Sequence, residues 1–292
     1  MQSVLRVAIG VLLCLAAVAK GAEFDRLELY IFSFGWFGLG VSFWLARLLV
    51  AAELVVGLAL VLGIRRRATT LVALAMTLMF SAFLGYALIT GRNDNCHCLG
   101  ELVEMSPAMS LLKNGALAIA LLLILSQRGG ARIRDRWVAV GAAIITIGIF
   151  IYSPPDNINP HRTYDEVVDR AMFDTLATAD GRRMVCMYST SCPYCELASS
   201  KIGTIIRRHK LTNTEVWFAD FGRLNDSIVS AFYERTLSPA LPYRTLPIGT
   251  FLRLTDGEMP VVLLVDGDSV VHQYNYRTID EATILQFLSN KD

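Results

Sequence analysis

Five apolar runs crowd the first half of the chain and limit what it can fold into: Val4–Ala19, Phe43–Ile64, Ala68–Thr90, Ala108–Leu125 and Trp137–Tyr152. A helix crosses the hydrocarbon core of a bilayer in about 17–25 apolar residues. Each run therefore reads as a candidate membrane span, with the first and last at the short limit. With 54% hydrophobic residues and a mean hydropathy of +0.46, the chain is too apolar for an ordinary water-soluble protein. The excess ends at Tyr152, and the remainder of the chain has the polarity of a globular domain large enough to bury its own core. The net charge of +1 makes no case for a nucleic-acid partner. The expected division is a helical membrane domain over residues 1–152, a proline-rich linker over 153–163 and a mixed α/β domain over 164–292.

The loop charges orient the spans. Arg65–Arg67 join the second and third runs, and Arg128, Arg132, Arg134 and Arg136 lie between the fourth and fifth. The remaining loops carry Glu23, Asp25, Glu28, Asp94, Glu101 and Glu104. Arg and Lys stay cytoplasmic, so the N-terminus is expected inside, and the loop holding Cys96 and Cys98 outside together with everything after the fifth span. The first run, with Arg6 ahead of an apolar stretch and small residues near Ala19, also fits a cleavable signal peptide. Cleavage would leave the orientation unchanged.

Six cysteines are present, and four form two close pairs: Cys96 with Cys98, and Cys192 with Cys195. Pairs facing an oxidising compartment point to disulfide chemistry before metal chemistry. The downstream pair, in Cys-Pro-Tyr-Cys, comes after the apolar strand pattern "MVCMYS" and precedes a helical pattern from Pro193 to about Lys210. A helix start offers unpaired N–H groups and a partial positive charge, which stabilise a thiolate at Cys192 and make it the attacking sulfur. Pro193 fits the first turn, where no N–H is needed. Cys195, one turn on, can resolve a mixed disulfide. A structural disulfide or a zinc half-site is the bland alternative, but zinc calls for a closed four-ligand shell. Cys186, within the strand, reads as a buried inert thiol, and Cys14, within the first run, as packing. Further on, "TEVWFADF" reads as a strand, Asn225–Leu237 as a helix, and "VVLLV" and "VVHQYNY" as a hairpin. Thr278 and Glu281 suggest a capping box for a last helix to about Asn290.

From about Tyr164 to its end the chain resembles the thioredoxin superfamily: strand, "CPYC", helix, then "EMPVVLLV" ahead of a hairpin and helix. The resemblance implies that Met259-Pro260 forms the cis-proline loop facing the active cysteines, giving Pro260 a place in the catalytic set with Cys192 and Cys195. The Pro-Tyr dipeptide is that of glutaredoxins. "SPALPYRTLPIGTFLRLTDG" reads as an insertion, either a specificity element or a surface excursion.

Cys96 and Cys98 can close only a small, strained ring, the labile and oxidising kind of disulfide. His97 between them is either a pKa-lowering neighbour or a bystander. The short spans, the outer Cys-x-Cys with Leu-Gly after it and the second span "AAELVVGLALVLG" resemble the DoxX-like family over about Met1–Leu125, and within it the methylamine-utilisation proteins of MauE type. That resemblance implies work with a thioredoxin-like partner in forming disulfides, here fused into one chain. Ionisable residues inside spans are functional candidates by default. Glu53 and Lys113 are accordingly assigned to proton handling, thiolate stabilisation or a cofactor site, with helix-to-helix polar contact, Glu53 to Arg47, as the alternative. Trp36, Phe37, Phe43 and Trp44 read as an interfacial belt.

The expected function is a membrane thiol–disulfide oxidoreductase of the bacterial inner membrane, its thioredoxin-like domain in the periplasm or outside. In this reading Cys192 and Cys195 form one redox-active disulfide and exchange with extracytoplasmic, cysteine-containing client proteins. The Cys96–Cys98 disulfide reoxidises them, and a membrane quinone takes the electrons. A reductive relay in the opposite direction and a soft-metal, copper-handling protein are the alternatives.

Overall fold

Long apolar stretches without interior proline become helices in the computed structural model, which describes residues 2–92, 105–126, 135–156, 168–169, 173, 181–267 and 269–289. The chain forms two units: Met1–Tyr30 with Phe43–Pro155, and Ile31–Ser42 with Asp156–Asp292.

The helices are α1 (Gln2–Ala22), α2 (Phe24–Ser33), α3 (Leu39–Leu62), α4 (Arg66–Ile89), α5 (Pro107–Ile124) and α6 (Asp135–Tyr152). Among the described residues four of them, α1, α3, α4 and α5, are long and apolar enough to cross a membrane. The expected fifth span is a shorter apolar helix, Arg136–Tyr152. At 1.5 Å per residue its length is about 26 Å, against a hydrocarbon core of about 30 Å. The acidic loop expected around Asp25 and Glu28 is instead the helix α2.

Side chains lock these helices at defined points. Ser106 caps α5, its Oγ accepting from the Met109 N–H at 3.3 Å, and Pro107 fills the first turn. Gly63, at φ +68°, ends α3, with the Ile64 N–H reaching back to the Ala59 carbonyl at 2.9 Å. Buried Arg6 of α1 donates to the Leu60 and Val61 carbonyls at that same end. Gly10 and Gly57 let α1 and α3 approach closely, since a Cβ on Gly57 would lie 2.7 Å from the Cys14 sulfur. Arg47 is buried and donates to Glu28, to the Phe43 carbonyl at 2.8 Å and to the Ser153 carbonyl at 2.6 Å, joining α2, α3 and the end of α6.

Among its described residues the second unit has five strands: β1 (Arg182–Tyr188), β2 (Thr214–Asp220), β3 (Tyr243–Pro247), β4 (Val261–Asp266) and β5 (Ser269–Tyr274). Their order is β3-β2-β1-β4-β5. The pairs β1/β2 and β2/β3 are parallel, and β1/β4 and β4/β5 antiparallel. Helices α7 (Pro193–His209), α8 (Asp226–Thr236), α9 (Ile248–Leu254) and α10 (Glu281–Ser289) accompany them. Both faces of β1 are buried, Met184, Cys186 and Tyr188 on one and Val185 and Met187 on the other, as a helix-covered sheet requires. Phe173 stacks on Trp217 at 5.2 Å within the core that also holds Phe251, Leu254 and Leu263.

Two expectations are corrected here. The stretch read as an insertion supplies the edge strand β3 and helix α9, and Leu246, Phe251 and Leu254 are buried core residues. The capping box does not form. Asp280 caps α10, its carboxylate accepting from the Thr283 N–H at 2.9 Å, while Glu281 binds Arg208 at 2.8 Å and the Leu39 N–H at 3.3 Å.

Candidate functional site: the thiol pair at the start of α7

The chain leaves β1 at Tyr188, turns through Ser189–Ser191 and enters α7 with Cys192 as its N-cap, at φ −93° and ψ 117°. The Cys192 N–H donates to the Ser189 carbonyl at 3.3 Å, and the Glu196 N–H closes the first helical bond on the Cys192 carbonyl at 3.1 Å. Pro193 occupies the first turn, as its missing N–H allows. This geometry leaves early N–H groups of the helix free to face the Cys192 sulfur.

Both cysteines are thiols in this structure, and their surroundings divide them. The hydrogen bond from Cys195 holds the Cys192 thiol down to about 6, with help from the backbone N–H groups of Cys195 and Tyr194 and against partial burial and the Glu196 charge. Cys195 is fully buried, and burial together with its bond to Cys192 pushes its own thiol well up. The Ser189 N–H donates to the Cys195 sulfur at 3.4 Å. Cys192 is thus a thiolate near neutral pH and Cys195 a protonated donor to it. Such a pair can attack, or leave from, a disulfide.

Pro260 is buried, and the Met259-Pro260 bond is cis. It directly precedes Val261, which pairs with Met187 of β1, so the proline stands at the sheet end from which the cysteine turn emerges. Tyr194 is half exposed and stacks on Tyr276 at 4.8 Å. The Tyr276 carbonyl accepts from the fully buried Lys201 at 2.8 Å. This aromatic support was not legible beforehand, since the two rings lie 82 positions apart in the sequence. Arg235 pairs with Glu196 at 3.1 Å and donates to the Thr190 carbonyl at 3.1 Å, fixing the cysteine turn from the α8 side. Cys186 is buried, and burial pushes its thiol up to about 12.

In the first unit, Glu53 pairs with Lys20, at 2.5 and 2.6 Å, and not with Arg47, whose carboxylate partner is Glu28. Glu53 and Lys113 line one cavity together with Lys20. Lys20 sits in the last turn of α1, just beyond the apolar run, so only its facing a mid-span carboxylate on a neighbouring helix marks it. Cys96, His97 and Cys98 lie outside the described residues, as do Asp94, Glu101, Glu104, Arg128, Arg132, Arg134 and residues 157–167.

Residues 1–127 match the family model described as methylamine utilisation protein MauE. This part of the chain is a MauE membrane domain. Behind the MauE domain comes a thioredoxin-like one, recognisable from a parallel strand leading into Cys-x-x-Cys at a helix start, a cis-proline ahead of an antiparallel strand, and a closing hairpin and helix. Over 202 residues the chain is 25% identical to protein TlpB of Flavobacterium psychrophilum, a match covering 60% of this chain and 53% of TlpB. The chain thus spans about half the length of the curated relative it matches. A similar solved structure is a secreted Mycobacterium tuberculosis disulfide oxidoreductase, described as homologous to E. coli DsbE. It shares 10% identity, covers 37% of this chain and 81% of its own, and has a TM-score of 0.30, too low to define a common fold.

Proposed function

We propose that the chain is a quinone-linked thiol–disulfide oxidoreductase that forms disulfides outside the cytoplasm. The observation that carries this reading is the hydrogen-bonded Cys192 sulfur, held down to about 6. Stabilising the thiolate stabilises the reduced pair, and that makes the corresponding disulfide the stronger oxidant. In the oxidised domain a client thiolate attacks the Cys192 sulfur, and Cys195 leaves and takes up a proton. A second client thiol then displaces Cys192 as its thiolate. Two client thiols lose two electrons and two protons, and one client disulfide forms. To reset, the Cys192 thiolate attacks the Cys96–Cys98 disulfide, and Cys195 then attacks Cys192, releasing the outer pair as thiols. Their two electrons and two protons pass to a quinone, giving a quinol. Pro260, at the sheet end from which the cysteine turn emerges, holds client backbone.

Working boundaries are 1–152 for the membrane domain, 153–163 for the linker and 164–292 for the exchanging domain. The protein sits in a bacterial inner membrane with both cysteine pairs on the periplasmic side. This arrangement requires α6 to cross, which its length permits at the lower end of the range for a span. The covalent tether raises the concentration of one pair at the other, so reoxidation need not await a collision.

The test is Cys195→Ala in cells. Mixed disulfides of Cys192 with client proteins, and with Cys96 or Cys98, should accumulate and vanish on reduction. If none is trapped, the relay is wrong. Thiol labelling from each side of the membrane that finds Cys96 and Cys192 on opposite faces would also end it.

A further inference from the structure

Helices α1, α3, α4 and α5 enclose a cavity of about 50 Å³ in the membrane unit. Its polar lining is Lys20, Glu53, Thr77, Lys113 and Asn114. Lys20 and Glu53 neutralise each other through two short contacts, their side chains only 2% and 12% exposed. Thr77 donates to the Ala73 carbonyl at 2.8 Å. Lys113 makes no hydrogen bond or ion pair of its own among the described residues. Two ammonium groups and one carboxylate leave the cavity with an excess positive charge, centred on Lys113. An uncompensated ammonium is costly at membrane depth, and an anion beside it removes the penalty.

The shape restricts the group that Lys113 can bind. A cavity that holds benzene measures about 150 Å³, so this one admits an oxygen and its neighbouring atoms but not a whole ring. The rest of a ligand must lie along the mouth. There the walls are apolar, and Leu12 and Met79 are exposed on the outer helix surface, 38% and 61%, where a spanning helix meets lipid. Phe80, already 5.4 Å beneath the Lys20 ammonium, offers a flat face beside it.

We propose that this cavity is the binding site of a lipid-soluble quinone, with one ring oxygen on Lys113 and the ring against Phe80 and Met79. The proposal rests on the quinone-linked reading above. As two electrons arrive from the Cys96–Cys98 dithiol, the ring oxygen becomes anionic and the Lys113 ammonium neutralises it. The two thiol protons complete the quinol, so the dithiol is oxidised to a disulfide and the quinone reduced. The Lys20–Glu53 pair is a positioning pair: by occupying Glu53 it leaves the Lys113 charge for the ligand. A fatty-acid carboxylate is the competing occupant, anionic from the outset where the quinone oxygen becomes so only on reduction, and the experiment separates the two.

The full chain in lipid nanodiscs, reduced with dithiothreitol and freed of it, is mixed anaerobically with a short-chain ubiquinone or menadione, and with oleate in a parallel arm. Quinone reduction is monitored by absorbance, and oleate binding by equilibrium dialysis. Lys113→Met should raise the quinone KM roughly tenfold or more, as expected for loss of a charge-assisted hydrogen bond. Lys113→Arg should restore it to within a few-fold. In the unmutated protein, bound quinone should slow acylation of Lys113, a readout that needs no variant to fold. A KM indifferent to Lys113→Met, with no protection, overturns the site while leaving quinone coupling intact. Lys113-dependent binding of oleate without quinone reduction overturns the quinone assignment in favour of a fatty acid. No reduction and no binding of either probe overturns the site and the quinone branch together, and client exchange is still judged by the Cys195→Ala traps.

Discussion

Two regions of this molecule gather charge, and they do it by different means. At the start of α7 the Cys192 sulfur is held by a neighbouring thiol and by backbone N–H groups of Tyr194 and Cys195. In the membrane unit the polar lining of the cavity is dominated by whole charges, Lys20, Glu53 and Lys113. The difference comes from where the backbone is used. A helix that begins in an aqueous domain leaves its first N–H groups available. Inside a bilayer every N–H is bonded within its own helix, so only side chains can supply charge. Partial charges from fixed backbone tune a sulfur. Full charges on side chains must be paired or given a ligand.

The largest effect tests the first half of the contrast. Cys192→Ala should abolish disulfide exchange with a reduced peptide altogether, measured by peptide oxidation with the full chain, whereas Cys186→Ala should retain it. Next comes the paired charge. Glu53→Leu leaves Lys20 buried without its carboxylate and should cost about 3–5 kcal/mol of stability in chemical unfolding of the detergent-solubilised protein. The double change Glu53→Leu with Lys20→Met should recover most of that. A single variant as stable as the parent would mean that the side-chain charges of the membrane unit are not bound by pairing.

Cys195→Ala removes the hydrogen bond that does most to hold Cys192 down. The Cys192 pKa should rise from about 6, and its alkylation at pH 6 should slow by roughly tenfold per unit of rise. An unchanged midpoint would assign the whole effect to the backbone. The same group makes the reduced domain pH-sensitive. Its folded pKa, about 6, lies below the ordinary value of 9.0, so the folded state binds fewer protons between the two. The stabilisation is fully present above 9.0, shrinks as pH falls and is gone below about 6. Chemical unfolding of the reduced full chain should show this slope and lose it in Cys192→Ala. The smallest effect is a backbone one. Asn225 caps α8, its Oδ1 accepting from the Ile228 N–H at 3.0 Å, and Asn225→Ala should lower stability by about 1 kcal/mol.

Much of this could be read from neighbours in the chain. Pro193 between an apolar strand and an amphipathic stretch announces a helix start, and apolar runs announce the spanning helices, because both signals are local. The edge strand β3 was missed because "YRTLP" is short, polar and ends in proline, features an edge tolerates and a central strand does not. Glu281 looked like half of a capping box because its spacing from Thr278 fits one. Arg208 and His209, both near it in space, compete for the same carboxylate. Glu53 was recognisable as important, but its partner was not, since Lys20 lies 33 positions away on another helix.

Order along the chain therefore determined which segments are spanning helices or central strands, where α7 begins, and which sulfurs stand one turn apart. Those features come from periodicity, proline and end effects acting within a few residues. Folding in three dimensions settled which charge meets which, which ring supports Tyr194, and that the bond from the Cys195 thiol does more than the helix start to hold Cys192 down. Burial and pairing energies depend on groups far apart in sequence that packing alone brings within hydrogen-bond reach.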